Sequence, residues 1–142
     1  MSRTLAREDA FKMIFEMRIT NSQPETVLAY LCETASADNE MWAQRTVTRE
    51  NLEYIQAVVN GVEENVEEIN AVISPKLKKW SIDRLSKVDL SILQLAVFEI
   101  KYIDDIPEKV SVNEAVNLAK KYGADASPAF VNGVLGSILS EE

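Results

Sequence analysis

Side chains able to do chemistry are scarce in this chain. Its 142 residues include 23 carboxylates, 15 lysines and arginines, one cysteine and no histidine. Without histidine the most common metal ligand and the usual general base are missing, and Cys32 alone cannot build a thiolate cluster. Cys32 sits among Val27, Leu28 and Leu31, the setting of a buried, inert thiol, and a lone cysteine excludes a disulfide framework. The acids offer no better chemistry, because "VEENVEEI" spaces them as the wet side of a helix rather than as an acid–base pair. Neither catalysis nor a cofactor or metal is expected.

What remains is a pattern of cations. The net charge of −8 argues against general nucleic-acid affinity, but it is unevenly spread. Residues 1–20 carry +1, residues 21–74 carry −8, residues 75–87 carry +4 and residues 88–142 carry −5. A basic island, "PKLKKWSIDRLSK", thus interrupts an acidic chain, with Lys76 and Lys79 at i, i+3, Trp80 adjacent, and Arg84 and Lys87 following.

The elements that must position these groups read as helices. In "SPAFVNGVLGSIL" the Asn132-Gly133 pair would suit a hairpin turn. Yet Phe130, Val131, Val134, Leu135, Ile138 and Leu139 step by three and four and line one helical stripe. Ser127 suits its N-cap and Pro128 its first position. Asn132, Gly133, Gly136 and Ser137 fall on the opposite side, where two mid-helix glycines predict the close approach of a neighbouring helix or another chain.

Upstream, a first helix is predicted over Thr4–Ile19 with Ala6, Ala10, Met13, Ile14 and Met17 buried, and with Leu5 and Phe15 off that stripe. "NSQPETVLAYLCETA" opens a second helix near Pro24, and "SADNEM" reads as a loop. From Leu52 to Ile73 a 3-4 stripe runs through Ile55, Val59, Val62, Val66 and Ile69. Three heptads leave a homodimer open, but intramolecular packing is their commoner use.

Ser86 with Asp89 forms a capping-box-like start for "VDLSILQLAVFEI", a helix apolar almost all round and so expected at the centre of a bundle. Ser111 with Glu114 reads as a second capping box, with Val110 and Ala115 as its hydrophobic staple, and Gly123 as a left-handed cap behind Lys120 and Lys121. The expected architecture is all-α, about seven helices in one domain of two small bundles, about 1–80 and 81–142. No stretch reaches the 18 apolar residues of a membrane span, and "MSRTLAREDAF" lacks a signal-peptide core, so a cytoplasmic protein without membrane contact is expected.

The run "RLSKVDLSILQLAVFEIKYIDDIPEKVSVNEAVNLAKKYGADASPAFVNGVL", Arg84 to Leu135, closely resembles the C-terminal half of the NusB transcription antitermination family, and "AREDAFKMIF" is similar to that family's first helix. The resemblance implies seven helices in two bundles and no enzymatic activity. It implies pairing with NusE, a small-subunit ribosomal protein, on boxA RNA within the RNA polymerase antitermination complex, in support of ribosomal RNA transcription. Carried over residue by residue, Arg3, Arg7, Lys76, Lys79, Phe130 and Asn132 belong to the RNA side, and Phe15 and Asp89 face NusE. Cations on phosphates and aromatic faces under unstacked bases are what single-stranded RNA requires. The competing reading is a protein-binding or self-associating helical scaffold with little RNA affinity. A third, the NusB-like module that fronts certain ribosomal RNA methyltransferases, calls for a glycine-rich cofactor loop that is not found in these 142 residues.

Overall fold

A computed structural model describes residues 3–29, 49–78 and 81–140. The described residues form seven α-helices and no strand: α1 (Arg3–Thr20), α2 (24–29), α3 (Arg49–Glu64), α4 (Val66–Ile73), α5 (Lys87–Tyr102), α6 (Glu108–Tyr122) and α7 (Ser127–Ser140). Two 3-10 turns, Ser74–Lys76 and Ile82–Arg84, lie between α4 and α5. The chain divides into two compact units between Glu63 and Glu64.

In the N-terminal unit α1 buries Ala6, Ala10, Phe11, Ile14 and Met17, and α3 buries Tyr54, Ile55, Val58, Val59 and Val62. Polar bonds tie the two helices at both ends. Arg3 Nε donates to Asn51 Oδ1 (3.4 Å), and Arg18 Nη1 pairs with Glu63 Oε2 at 3.1 Å. α1 ends where Asn21 takes a left-handed conformation (φ 57) and donates its N–H to the Met17 carbonyl (2.9 Å), the stop more often made by glycine.

The C-terminal unit is built around α5, whose residues from Leu90 to Glu99 are all buried among α4, α6 and α7. A helix enclosed on every side must satisfy its polar groups internally. Ser91 Oγ donates to the Lys87 carbonyl (2.6 Å), Gln94 Nε2 to Asn70 Oδ1 (2.9 Å), and Glu99 Oε1 accepts from Ser111 Oγ (2.9 Å). The Gln94 bond, with Ile69 and Ile73 buried, assigns α4 to this unit although the heptad stripe joins it to α3 in sequence. The stripe is interrupted at Asn65, which leaves helical geometry (φ −112, ψ 19). At the other end of α5, the Tyr102 hydroxyl donates to Glu68 Oε2 (2.5 Å), and this bond holds the phenol above its usual pKa of 10.0.

Four local expectations are corrected. α6 begins at Glu108 behind Pro107, whose carbonyl accepts from the N–H groups of Val110 and Ser111. Ser111 is therefore inside the helix bonding Glu99 rather than capping, and Val110 is 40% exposed rather than stapled. Gly123 is extended (φ −91, ψ −176), not left-handed. Its need is steric: a Cβ there would lie 2.6 Å from Ser127 Cβ and 2.8 Å from the Ala119 carbonyl oxygen. Ser127 is already the first helical residue of α7, and its hydroxyl accepts backwards from the Ala124 N–H (3.0 Å).

No neighbouring helix of this unit approaches the glycines of α7. Gly133 and Gly136 are exposed, and a Cβ on either meets nothing in this unit within 4 Å. Both therefore carry the entropic penalty of glycine with no packing return. Gly133→Ala and Gly136→Ala are each expected to raise stability by about 0.5–1 kcal/mol, read as a higher denaturant midpoint at unchanged m-value.

Candidate functional site

The side chains that the sequence marks out are divided between the two units. Arg3, Arg7 and Phe15 belong to the N-terminal unit, and Lys76, Asp89, Phe130 and Asn132 to the C-terminal one. Lys79 and Trp80, like Cys32 and the "SADNEM" loop, lie outside the described residues.

Within the C-terminal unit, the first turns of α5 and α7 border one cleft of about 260 Å³. The Ile82–Arg84 turn brings Arg84 to it, α5 contributes Asp89 just after the Ser86 cap, and α7 contributes Ser127 and, about one turn on, Phe130. The Ser86 hydroxyl accepts from the Asp89 N–H (3.0 Å), as the capping pattern requires. The Asp89 carboxylate has one oxygen, Oδ1, that is buried and accepts no hydrogen bond. Helix N-termini favour negative charge, which stabilises a carboxylate in this first turn. The cleft thus combines an aromatic ring and an exposed guanidinium beside the Asp89 side chain, in a space below the usual range for drug-sized ligands.

Of the other candidates in this unit, Lys76 is half-buried in the Ser74–Lys76 turn, which packs on α7. Asn132 is exposed on α7. In the N-terminal unit the two arginines converge on a residue that the sequence reading did not single out. Arg3 Cζ lies 4.4 Å and Arg7 Cζ 5.7 Å from the centre of the Tyr54 ring, within cation–π range. Arg7 is only 3% exposed, whereas Arg3 reaches solvent. Phe15 is half-buried, its ring 6.2 Å from that of Phe11. Tyr54 went unnoticed because it lies beside Ile55 in an apolar stripe. Its signal is on α1, where arginines at i and i+4 share one face.

No group of three or more metal-ligating side chains occurs among the described residues, and no described helix is long and apolar enough to cross a membrane.

Comparison with known proteins places these features in a family. The profile of the NusB family matches residues 4–140. The chain belongs to the NusB family. It is 46% identical to the transcription antitermination protein NusB of Clostridium novyi (strain NT), over 98% of both chains. NusB of T. maritima superposes with a TM-score of 0.86 at 33% identity, covering 100% of this chain and 93% of that one. A crystal structure of antitermination factors NusB and NusE in complex with dsRNA gives a TM-score of 0.81 at 27% identity, with both chains fully covered. The all-α fold expected of a NusB relative is thus the fold observed.

Proposed function

We propose that this protein is a cytoplasmic, non-enzymatic transcription antitermination factor that pairs with NusE and holds boxA RNA, supporting ribosomal RNA transcription as part of the RNA polymerase antitermination complex. The observation that carries this reading is the full-length match to a NusB that has been captured with NusE and RNA. The chain's own chemistry supports it. Phe130 offers a ring, Arg3 and Arg84 offer exposed cations, and Lys76 sits in a turn packed against the helix of Phe130 and Asn132. Arg7, being buried, serves the RNA side by holding Tyr54 under Arg3 rather than by meeting phosphate. Phe15 is the candidate for the NusE side.

The net charge of −8 repels RNA at long range. Weak affinity is therefore expected for the chain alone, with a clear gain when NusE fixes the strand. Fluorescence anisotropy with labelled boxA RNA, across a salt series with and without NusE, tests this. Arg3→Ala is expected to reduce the slope of log K against log salt by about 0.7, one single-strand phosphate contact. Phe130→Ala is expected to weaken binding about tenfold with the slope unchanged, as loss of a stacking surface worth about 1–3 kcal/mol does. If NusE binds the RNA equally well without this protein, the adaptor reading fails and the protein-binding scaffold replaces it.

A further inference from the structure

The tetrapeptide Val-Asn-Gly-Val occurs twice in this chain, at residues 59–62 in α3 and at residues 131–134 in α7. Asn-Gly is the pair most prone to lose its side-chain amide, because glycine lacks the Cβ that would hinder its nitrogen from turning onto the asparagine side chain. In both copies the valines are buried and the asparagine is exposed. The glycines differ. Gly61 is buried, and the Arg18–Glu63 ion pair (3.1 Å) ties α3 to α1 just beyond it. Gly133 is exposed, and a Cβ on it would meet nothing within 4 Å. Helical geometry protects either pair while it lasts, since the glycine N–H is engaged by the carbonyl four residues back. Reaction therefore waits on local opening. α7 opens more readily, because it carries two glycines, Gly133 and Gly136, on a face that packs on nothing.

We propose that Asn132 is a site of self-modification, an intramolecular deamidation that proceeds when α7 opens, and that the same tetrapeptide in α3 is shielded from it. The Gly133 backbone nitrogen attacks Asn132 Cγ and closes a cyclic imide, while its proton leaves with the side-chain nitrogen as ammonia. Water then opens the imide at either carbonyl, giving aspartate or isoaspartate. The isoaspartyl product routes the backbone through the former side chain and inserts a methylene after Val131. Val131 and the stripe of Val134, Leu135 and Ile138, all buried, then no longer fall on one helical face. α7 cannot restore its packing against α6, so the change is one-way. Both products also add a negative charge to a chain that already carries −8.

The test incubates the full chain at mildly alkaline pH, folded in buffer and unfolded in guanidinium chloride, and follows aspartate and isoaspartate at both positions by peptide mass spectrometry. In the folded protein Asn132 is expected to convert about tenfold faster than Asn60, because a local opening costs less than releasing a helix held in the core. In guanidinium chloride the two rates are expected to be alike, since the flanking valines are the same. Gly136→Ala is expected to slow Asn132 about two- to fivefold in the folded protein, as alanine's helix propensity lowers the open fraction, and to leave the unfolded rate unchanged. At low denaturant the Asn132 rate is expected to rise less steeply than the m-value of global unfolding, because opening one helix exposes less surface. A folded-state rate at Asn132 no greater than at Asn60 overturns the proposal. So does a faster Asn132 in the unfolded chain, which would place the difference in the sequence, and so does a denaturant slope equal to that of global unfolding, which would remove the role of α7.

Discussion

Gly123→Ala is expected to lower the unfolding free energy by about 2–3 kcal/mol, the upper part of the range for overpacking a tight site. The added methyl would meet Ser127 Cβ at 2.6 Å, Ser127 Oγ at 2.7 Å and the Ala119 carbonyl oxygen at 2.8 Å. None of these atoms is the free end of a flexible side chain. The Ala119 oxygen already accepts the Gly123 N–H (2.9 Å) that closes α6, and Ser127 Oγ accepts the Ala124 N–H (3.0 Å) that opens α7. Relieving the clash therefore loosens the corner and puts at least one hydrogen bond, worth about 1 kcal/mol, at risk. The smaller entropy of the unfolded alanine chain offsets only about 0.4–1 kcal/mol. Ser127 and Phe130 both line the cleft, so the same substitution is expected to disturb its shape. Urea denaturation should show a lower midpoint, while Gly133→Ala, on the open face of α7, moves in the opposite direction. An unchanged midpoint for Gly123→Ala would mean that the α6–α7 corner is not sterically closed.

Ser111→Ala is expected to cost about 2 kcal/mol, twice the ~1 kcal/mol of a lost helix cap, because the hydroxyl donates to a carboxylate rather than to a backbone group. Ser111 is 1% exposed and Glu99 is fully buried, at 2.9 Å from hydroxyl to Oε1. Hydrogen bonds to charged groups are worth about 1.5–3 kcal/mol, and removing one partner in the interior forfeits most of that. A double-mutant cycle with Glu99→Gln separates the two roles. A direct bond gives a coupling energy above about 0.5 kcal/mol, whereas a cap at Ser111 and a separate role for Glu99 would give additive losses.

These two sites also mark where reading the sequence stops. The 3-4 spacing of apolar residues identified α7 as a helix despite its Asn-Gly pair, and a surface apolar almost all round identified α5 as the buried centre, because helix periodicity is a property of neighbours within one turn. The Ser86 start of α5 was legible for the same reason: cap and first turn are adjacent in the chain. Ser111 was misread because serine serves equally as a cap or as a buried donor. Which one it is depends on Glu99, brought alongside by the packing of α5 against α6. Arg7, which the family resemblance assigns to the RNA side, is buried with Tyr54 of another helix against it, a contact that only packing reveals.

The chain's amino-acid order by itself determined an all-helical protein of the NusB family, with no histidine, a single cysteine and a basic island in an acidic background. Tertiary structure alone decided that α4 packs with α5 rather than completing the α3 stripe as part of the N-terminal unit, that Gly123 is needed for contact while Gly133 and Gly136 face open space, and that Asp89 shares a cleft with Arg84 and Phe130. The reason is physical. Periodicity and capping are set by residues a few positions apart, whereas burial, steric closeness and the satisfaction of a polar group are set by whichever distant residues the packed helices bring within a few ångströms.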